Sequence, residues 1–341
     1  MPVLNKSDEV KTREYEEFIK TSPYGHFMQS INWAKVKNNW ESDYVYLENK
    51  NGKITAAMSI ISVKNDDKHS FMYCPRGPVC DINDLSVVKE LLKEALPVIK
   101  KRNGFLLRMD PEIKYSDELL AKYENANIDN LRIMSVGNDE HAFSNPRMHM
   151  IADISMHDYD KYLETVSSNH RNKIRKGYRS NLETLRIRKN DKDFQKALNT
   201  FYELTKIMAE RQNINFRPIE YFQKLFDAFN DVVLYQTRDE EEVLSSCIVI
   251  TYNKKSFYAY AASSNNKRKL YPNNQMNNEA LKDAIEKGSS QYDMGGIFSV
   301  DDNNGLYRFK KIFCGESGLF DMLGQLDFVY DENLYNKFLK R

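Results

Sequence analysis

Apolar and polar residues alternate through VYLENKNGKITAAMSIIS (45–62) with one interruption, Asn51-Gly52, and that pair between two alternating runs predicts a β-hairpin. FMYCPRGPV predicts a third strand. The period then changes: Val87, Val88, Leu91, Leu92 and Ala95 recur at helical spacing and predict a helix over 86–101. GFLLRMD closes the set as a strand ending on Asp110. The same order returns between 232 and 296. VVLYQTRDEEEVLSSCIVIT turns at Asp239–Glu242, SFYAYAASS follows, Met276, Ala280, Leu281, Ala284 and Ile285 predict a helix over 274–288, and QYDMGG carries Asp293. The chain reads as one strand–hairpin–strand–helix–strand unit written twice.

The remaining pattern fits around these copies. Tyr15, Phe18 and Ile19 predict an opening helix over 8–20 that stops at Ser22-Pro23. Helices over 191–210 and 218–229 precede the second copy, and a strand near 131–136 lies in the join between halves. After the second copy, GQLDFVY predicts a strand and the last residues a short helix. A leftover strand and helix there fit a return to the first half. The expected domains are therefore 1–147 with 320–341, and 148–319.

A chain of 341 residues is long enough for two cores. It has no apolar run of about 18 residues, so no membrane span is expected. Its N-terminus is charged from Lys6 onward and lacks the apolar core of a secretory signal. Cys74, Cys80, Cys247 and Cys314 show no metal-ligand spacing, so buried reduced thiols of a cytosolic protein, and no metal site, are expected. A net charge of +1 argues against bulk coating of nucleic acid and leaves room only for a local patch.

The repeated order resembles the acetyltransferase-like (GNAT) fold, an α+β fold with a mixed sheet. Its cofactor signature, Gln/Arg-x-x-Gly-x-Gly/Ala at a helix start, cradles a pyrophosphate on backbone amides. Neither copy carries it: the first enters its helix through Asp81–Asp84, the second through Tyr271-Pro272-Asn273. No acyl-CoA cofactor is expected, and no P-loop or Rossmann fingerprint is present.

Several residues stand out, each with a bland reading beside the functional one. His149 and Asp153 match a His-x-x-x-Asp pattern used for a catalytic base, or simply alternate in a strand. Residues 169–189 hold eight Lys/Arg and one Glu, a solvated helix face or a strip for a polyanion such as a tRNA acceptor end. Trp33 and Lys37 share one helix face. Arg217 precedes Pro218, read here as lying one residue inside a helix start; it either clamps phosphate or pairs with Glu220. Tyr258 and Tyr260 share one face of a regular strand. Asp293-Met294-Gly295-Gly296 allows close backbone approach after a strand. Phe309 and Lys310 read locally as a core phenylalanine and a surface lysine.

Over the whole chain the segments MPVLN, SPYG, WAKVKNNW, VYLE, AAMS, GPV, LR-x-D-P-E, YSDE, MAER, RPIEYFQ, Y-D-x-GGI and LY-x-FK resemble the Fem family of non-ribosomal aminoacyl transferases, which add amino acids from aminoacyl-tRNA to peptidoglycan precursors. The resemblance implies two GNAT-like domains in tandem without acetyl-CoA. Only about 37 residues separate Arg179 from Arg217, enough for the fold's own strand and helix but not for the helical arm of longer members. It further implies a cytoplasmic, monomeric enzyme that transfers alanine first, with serine or glycine as alternatives, from aminoacyl-tRNA to the side-chain amine of the third residue, lysine, of soluble UDP-MurNAc-pentapeptide.

By the same resemblance, Lys37 and Arg217 contact the nucleotide diphosphate. Asp110, Tyr221, Tyr258 and Tyr260 line the precursor channel, and Asp153 matches a further acidic position. Phe309 and Lys310 stand at the reaction centre. Phe105 replaces a channel tyrosine, so one hydroxyl is lost. Lys310 is expected to stabilise the oxyanion, and Asp110 to orient the acceptor ammonium or accept its proton. Arg171, Lys173, Arg175 and Lys176 are expected on the tRNA. The rival readings are the same chemistry on a lipid-linked precursor or another amine, and a non-catalytic module that binds tRNA or a cell-wall nucleotide.

Overall fold

A computed structural model describes residues 3–134 and 143–340 of the chain. In chain order its elements begin with α1 (Glu9–Thr21), α2 (Ile31–Val36), β1 (Glu41–Glu48), β2 (Ile54–Lys64), β3 (Ser70–Cys74), α3 (Leu85–Arg102), β4 (Gly104–Met109), α4 (Asp117–Ala126) and β5 (Leu131–Met134). Then follow β6 (Met148–Asp153), α5 (Tyr159–Thr165), α6 (Ser168–Tyr178), β7 (Glu183–Ile187), α7 (Phe194–Gln212), α8 (Ile219–Ala228), β8 (Val232–Arg238), β9 (Val243–Tyr252), β10 (Lys255–Ser263), α9 (Pro272–Glu286), β11 (Gln291–Ile297), α10 (Gly305–Cys314) and β12 (Leu319–Asp321). The last two are β13 (Gln325–Val329) and α11 (Glu332–Phe338). Two compact units result: 1–148 with 321–341, unit 1, and 149–320, unit 2.

Unit 1 holds a six-stranded mixed sheet in the order β1-β2-β3-β4-β13-β5. β3 and β4 run parallel; the other neighbours are antiparallel. α3 buries Val88, Leu91, Leu92, Ala95, Val98 and Ile99 on one face of the sheet, against Val45, Met58, Met72 and Leu107. It ends where Asn103 adopts φ +53° and donates back to the last turn, a left-handed C-terminal cap. The opposite face, through Phe71, Phe105 and Leu106, meets Tyr335 and Phe338 of α11. The C-terminal strand and helix thus complete unit 1. Their anchor is a buried ion pair: Arg108 of β4 donates to both carboxylate oxygens of Asp327 on β13 at 2.8 and 2.7 Å, and the Tyr335 hydroxyl adds a third donor at 3.0 Å.

Unit 2 repeats the order. Its sheet runs β12-β6-β11-β10-β9-β8-β7, so β8, β9, β10 and β11 take the places of β1, β2, β3 and β4, and α9 takes that of α3. β6 flanks β11 where β13 flanks β4. α9 covers one face, where the Tyr235 hydroxyl donates to Asp283. α7 and α8 cover the other, with Phe201 and Phe222 edge to face at 5.1 Å. Between Arg179 and Arg217 the chain forms β7 and α7, the strand and helix expected there.

Element ends move by one to three residues from the sequence reading. α9 starts at Pro272 rather than 274, because proline tolerates the first helical position, where its missing N–H has no partner to lose. α7 starts at Phe194 rather than 191, after a turn in which Phe194 N–H donates to the Asp191 carbonyl. Pro218 is the N-cap residue of α8, not its first turn, which leaves Arg217 just outside the helix. The strand expected near 131–136 is described only as far as Met134. All four cysteines are free and buried. Among the described residues no helix is long and apolar enough to cross a membrane, and no group of His, Cys, Asp and Glu is arranged to hold a metal ion.

Replacing Asp327 by Ala would leave the Arg108 guanidinium buried without its partner. The expected loss is about 3–5 kcal/mol of unfolding free energy, read by urea denaturation.

Candidate active site

The parallel pairing of β10 with β11 covers only three positions, Lys255 with Gln291, Ser256 with Tyr292 and Phe257 with Asp293. Beyond Phe257 a bulge interrupts β10 between Tyr258 and Tyr260, and β11 turns through Gly295 at φ +84°. The cleft there, about 570 Å³, is lined by Ala259, Ala261, Met294, Gly296, Phe309 and Lys310 among others.

Lys310 lies 5% exposed on α10, while Phe309 beside it is half-buried in the cleft wall. This reverses the local expectation of a core phenylalanine and a surface lysine. The Lys310 ammonium donates to the Gly296 carbonyl at 2.7 Å and makes no ion pair among the described residues. Burial pulls its pKa down to about 8, and the Asp293 charge resists that shift. A Cβ at Gly295 would stand 3.5 Å from the ammonium, an ordinary contact, but it would need φ +84°, and that backbone conformation is what suits glycine here.

Asp293, 5% exposed, receives Nδ1 of His149 at 2.8 and 3.0 Å on its two oxygens and the Gly295 N–H at 2.6 Å. His149 therefore pairs with Asp293 on the neighbouring strand and not with Asp153. Asp153 is exposed at the far end of β6, where it accepts from the Ser155 N–H and hydroxyl, and those bonds hold its pKa down. It closes a turn at the end of the strand.

The bulge also corrects the tyrosines. Tyr258 pairs with Val249 but Tyr260 with Ile248, so one extra residue shifts the alternation and sends the two side chains to opposite faces. Tyr258 lies on the α9 side, near Asn277. Tyr260 lies on the α8 side, its hydroxyl 2.8 Å from that of Tyr221. The Arg217 guanidinium is 5.6 Å from the Tyr221 ring centre, exposed, and makes no ion pair with Glu220 among the described residues.

In unit 1, Lys37 caps α2, with its ammonium 5.7 Å from the centre of the buried Trp33 ring. Asp110 is 3% exposed, and its carboxylate is taken up by internal donors: the Arg76 N–H, the Tyr73 hydroxyl and the N–H and side-chain amide of Asn145. A carboxylate so engaged ties β3 and the following turn to the segment at Asn145. Phe105, expected in a substrate channel, is 1% exposed and packs on Phe338. It sits at a register shift of β4 that turns it toward α11.

The FemAB family model matches residues 10–235 and 232–338. The chain belongs to the FemAB family. It is 33% identical, over the full length of both chains, to the UDP-N-acetylmuramoylpentapeptide-lysine N(6)-alanyltransferase of Weissella viridescens. It is 24% identical to the lipid II:glycine glycyltransferase of Staphylococcus epidermidis over 96% of this chain and 93% of that one. Its fold is that of the crystal structure of FemX, with a TM-score of 0.83, 22% identity and 99% of each chain covered. A tandem GNAT protein of the clavulanic acid pathway shares the fold at a TM-score of 0.54 and 11% identity, with 96% of this chain and 95% of that one covered.

In this FemAB-family chain the start of α9 is built unlike a pyrophosphate cradle. Pro272 has no N–H, and the Asn274 and Gln275 amides both donate to the Tyr271 carbonyl. α6 packs on the same turn: a Cβ on Gly177 would meet Gln275 at 2.9 Å. The basic residues of α6 divide in role. Arg171 donates to the Leu163 and Val166 carbonyls that end α5, and Lys176 lies 5.3 Å from the Tyr271 ring centre. Lys173 is half-buried, and its carbonyl accepts from Asn274. Arg175 and Arg179 are exposed, make no ion pair among the described residues and border a second cavity of about 350 Å³.

Sequence reasoning missed the His149–Asp293 pair and the two guanidiniums of the cleft, Arg211 and Arg268. Arg211 falls within a recognised segment, MAER, and that was its one signal.

Proposed function

We propose that this chain is a tRNA-dependent aminoacyl transferase of peptidoglycan precursor synthesis. It moves an amino acid, alanine first, from its tRNA ester to the side-chain amine of the third residue, lysine, of UDP-MurNAc-pentapeptide. The observation that carries the reading is the buried ammonium of Lys310 beside Phe309 in the cleft where β10 and β11 part. The full-length likeness to an alanyltransferase named for the UDP precursor supports the soluble acceptor over the lipid-linked one.

The acceptor amine, deprotonated, attacks the ester carbonyl. A C–N bond forms, the carbonyl oxygen becomes an oxyanion, and the C–O bond to the ribose then breaks. The proton lost by the nitrogen ends on the ribose oxygen. Lys310 stabilises the oxyanion, and Phe309 shapes the wall beside it. Asp110 holds the segment around Asn145 in place. Arg217, its guanidinium supported by the Tyr221 ring, contacts the nucleotide diphosphate. Arg175 and Arg179 contact tRNA phosphates; Arg171 braces the helix that presents them. Such a substrate pair places the enzyme in the cytoplasm.

The reading is tested by incubating the protein with UDP-MurNAc-pentapeptide, lipid-linked precursor, total tRNA, synthetases and mixed amino acids, then weighing the products. Lys310→Met should lower turnover about 10²–10³-fold; turnover within about threefold of wild type removes Lys310 from the chemistry. Arg217→Met should raise KM for the UDP precursor and leave kcat nearly unchanged. An Arg175→Ala/Arg179→Ala double variant should weaken tRNA binding and reduce the slope of log affinity against log salt by about 1–2.

A further inference from the structure

We propose that Asp293, oriented by His149, is a positioning residue for Lys310: it shapes the turn that receives the ammonium and supplies the counter-charge beside it. The proposal rests on the reading of Lys310 above. Three contacts carry it. The carboxylate accepts the Gly295 N–H at 2.6 Å, which holds Gly295 at φ +84°. The next residue, Gly296, offers the carbonyl that binds the Lys310 ammonium at 2.7 Å. His149 of β6 reaches both carboxylate oxygens from behind, at 2.8 and 3.0 Å, so the carboxylate cannot rotate without losing that donor. One side chain thus fixes the shape of residues 293–296 and places a negative charge near the ammonium.

The other titratable and charged groups around Lys310 do not replace that charge. Cys314, on its own helix, is buried, and burial pushes its thiol pKa up, so it remains neutral. Tyr258 of β10 is likewise pushed up by burial. Arg211 of α7 and Arg268, before α9, also line the cleft and bring no negative charge to it. Asp293 is therefore the carboxylate that opposes the effect of burial at Lys310.

The useful form of Lys310 is the ammonium, so activity is present below its pKa and is lost as pH rises through it. Removing the Asp293 charge should move that loss to lower pH by about one unit, the size of one neighbouring charge under partial screening. With wild-type titration near 8, the fraction protonated would fall about twofold at pH 7 and about fivefold at pH 8.

The test is a labelling titration that needs no substrate. Trace acetic anhydride acetylates neutral amines only. Mass spectrometry of the Lys310 peptide across pH 6–11 gives the titration midpoint in the wild-type full chain and in Asp293→Asn, whose amide oxygen still accepts the Gly295 N–H. The expected result is a wild-type midpoint near 8 and a fall of about one unit in the variant. An unmoved midpoint overturns the proposal. So does a wild-type midpoint at the ordinary lysine value, which reads out even if the variant does not fold. Turnover of the same variant, followed against pH, should lose its alkaline limb at correspondingly lower pH. A shifted midpoint in a protein that transfers no amino acid would retain the pairing and remove the catalytic reading instead.

Discussion

Burying an ammonium is unfavourable unless the surroundings return part of its hydration, and unit 2 is arranged around that constraint at Lys310. One carbonyl, Gly296, accepts from it, and one carboxylate, Asp293, lies near enough to oppose its deprotonation. Both belong to a single turn at the end of β11. That turn favours a residue without a side chain at Gly295, because φ is +84°. The parting of β10 from β11 after three paired residues then opens space in front of the ammonium. Strand pairing, the glycine turn and the buried charge are thus one construction, and a change in any of them is felt at Lys310.

The two units use the same frame for different ends. Each places a buried aspartate at the end of the strand that follows the long helix, Asp110 after β4 and Asp293 in β11. Each aspartate accepts a backbone N–H, from Arg76 and from Gly295. The remaining lone pairs go different ways. Asp110 meets neutral donors, Tyr73 and Asn145, which tie strand to loop. Asp293 faces a histidine and, further out, an ammonium. A carboxylate beside neutral donors stabilises a shape; one beside a buried cation also sets a charge state.

The order of elements was legible because the hydrophobic period changes cleanly from two to 3.6 and back in both copies. Site chemistry was legible only through recognised segments, since Phe309-Lys310 looks locally like core beside surface. One physical signal did point inward. Lys310 occupies the stripe that Tyr307, Phe313 and Cys314 mark on α10, and all four are buried. A lysine in an apolar stripe is either a buried charge or a helix read in the wrong phase. The bulge had no such signal, because Tyr-Ala-Tyr-Ala is what a regular strand would show, and the single extra residue is visible only in the pairing with β9. Nor was the His149–Asp293 pair legible: 144 positions separate the two, and the sheet order that makes β6 a neighbour of β11 is a tertiary fact.

That sheet order bears on how a fold named for acetyl transfer comes to hold a lysine at its cleft. In both copies the helix that follows the third strand begins without open amides for a pyrophosphate. Asp84 caps α3 with a carboxylate that accepts from Ser86 and Val87, which would repel an anion. α9 begins with a proline, turns two amides onto Tyr271, and lies under α6, where Gly177 permits the contact. An acyl donor carried on a nucleotide cofactor would need such a cradle, whereas an ester already activated on a ribose needs only a charge at the carbonyl oxygen. The closed helix starts and the buried ammonium of Lys310 agree with a donor of the second kind, the one the proposed reaction uses.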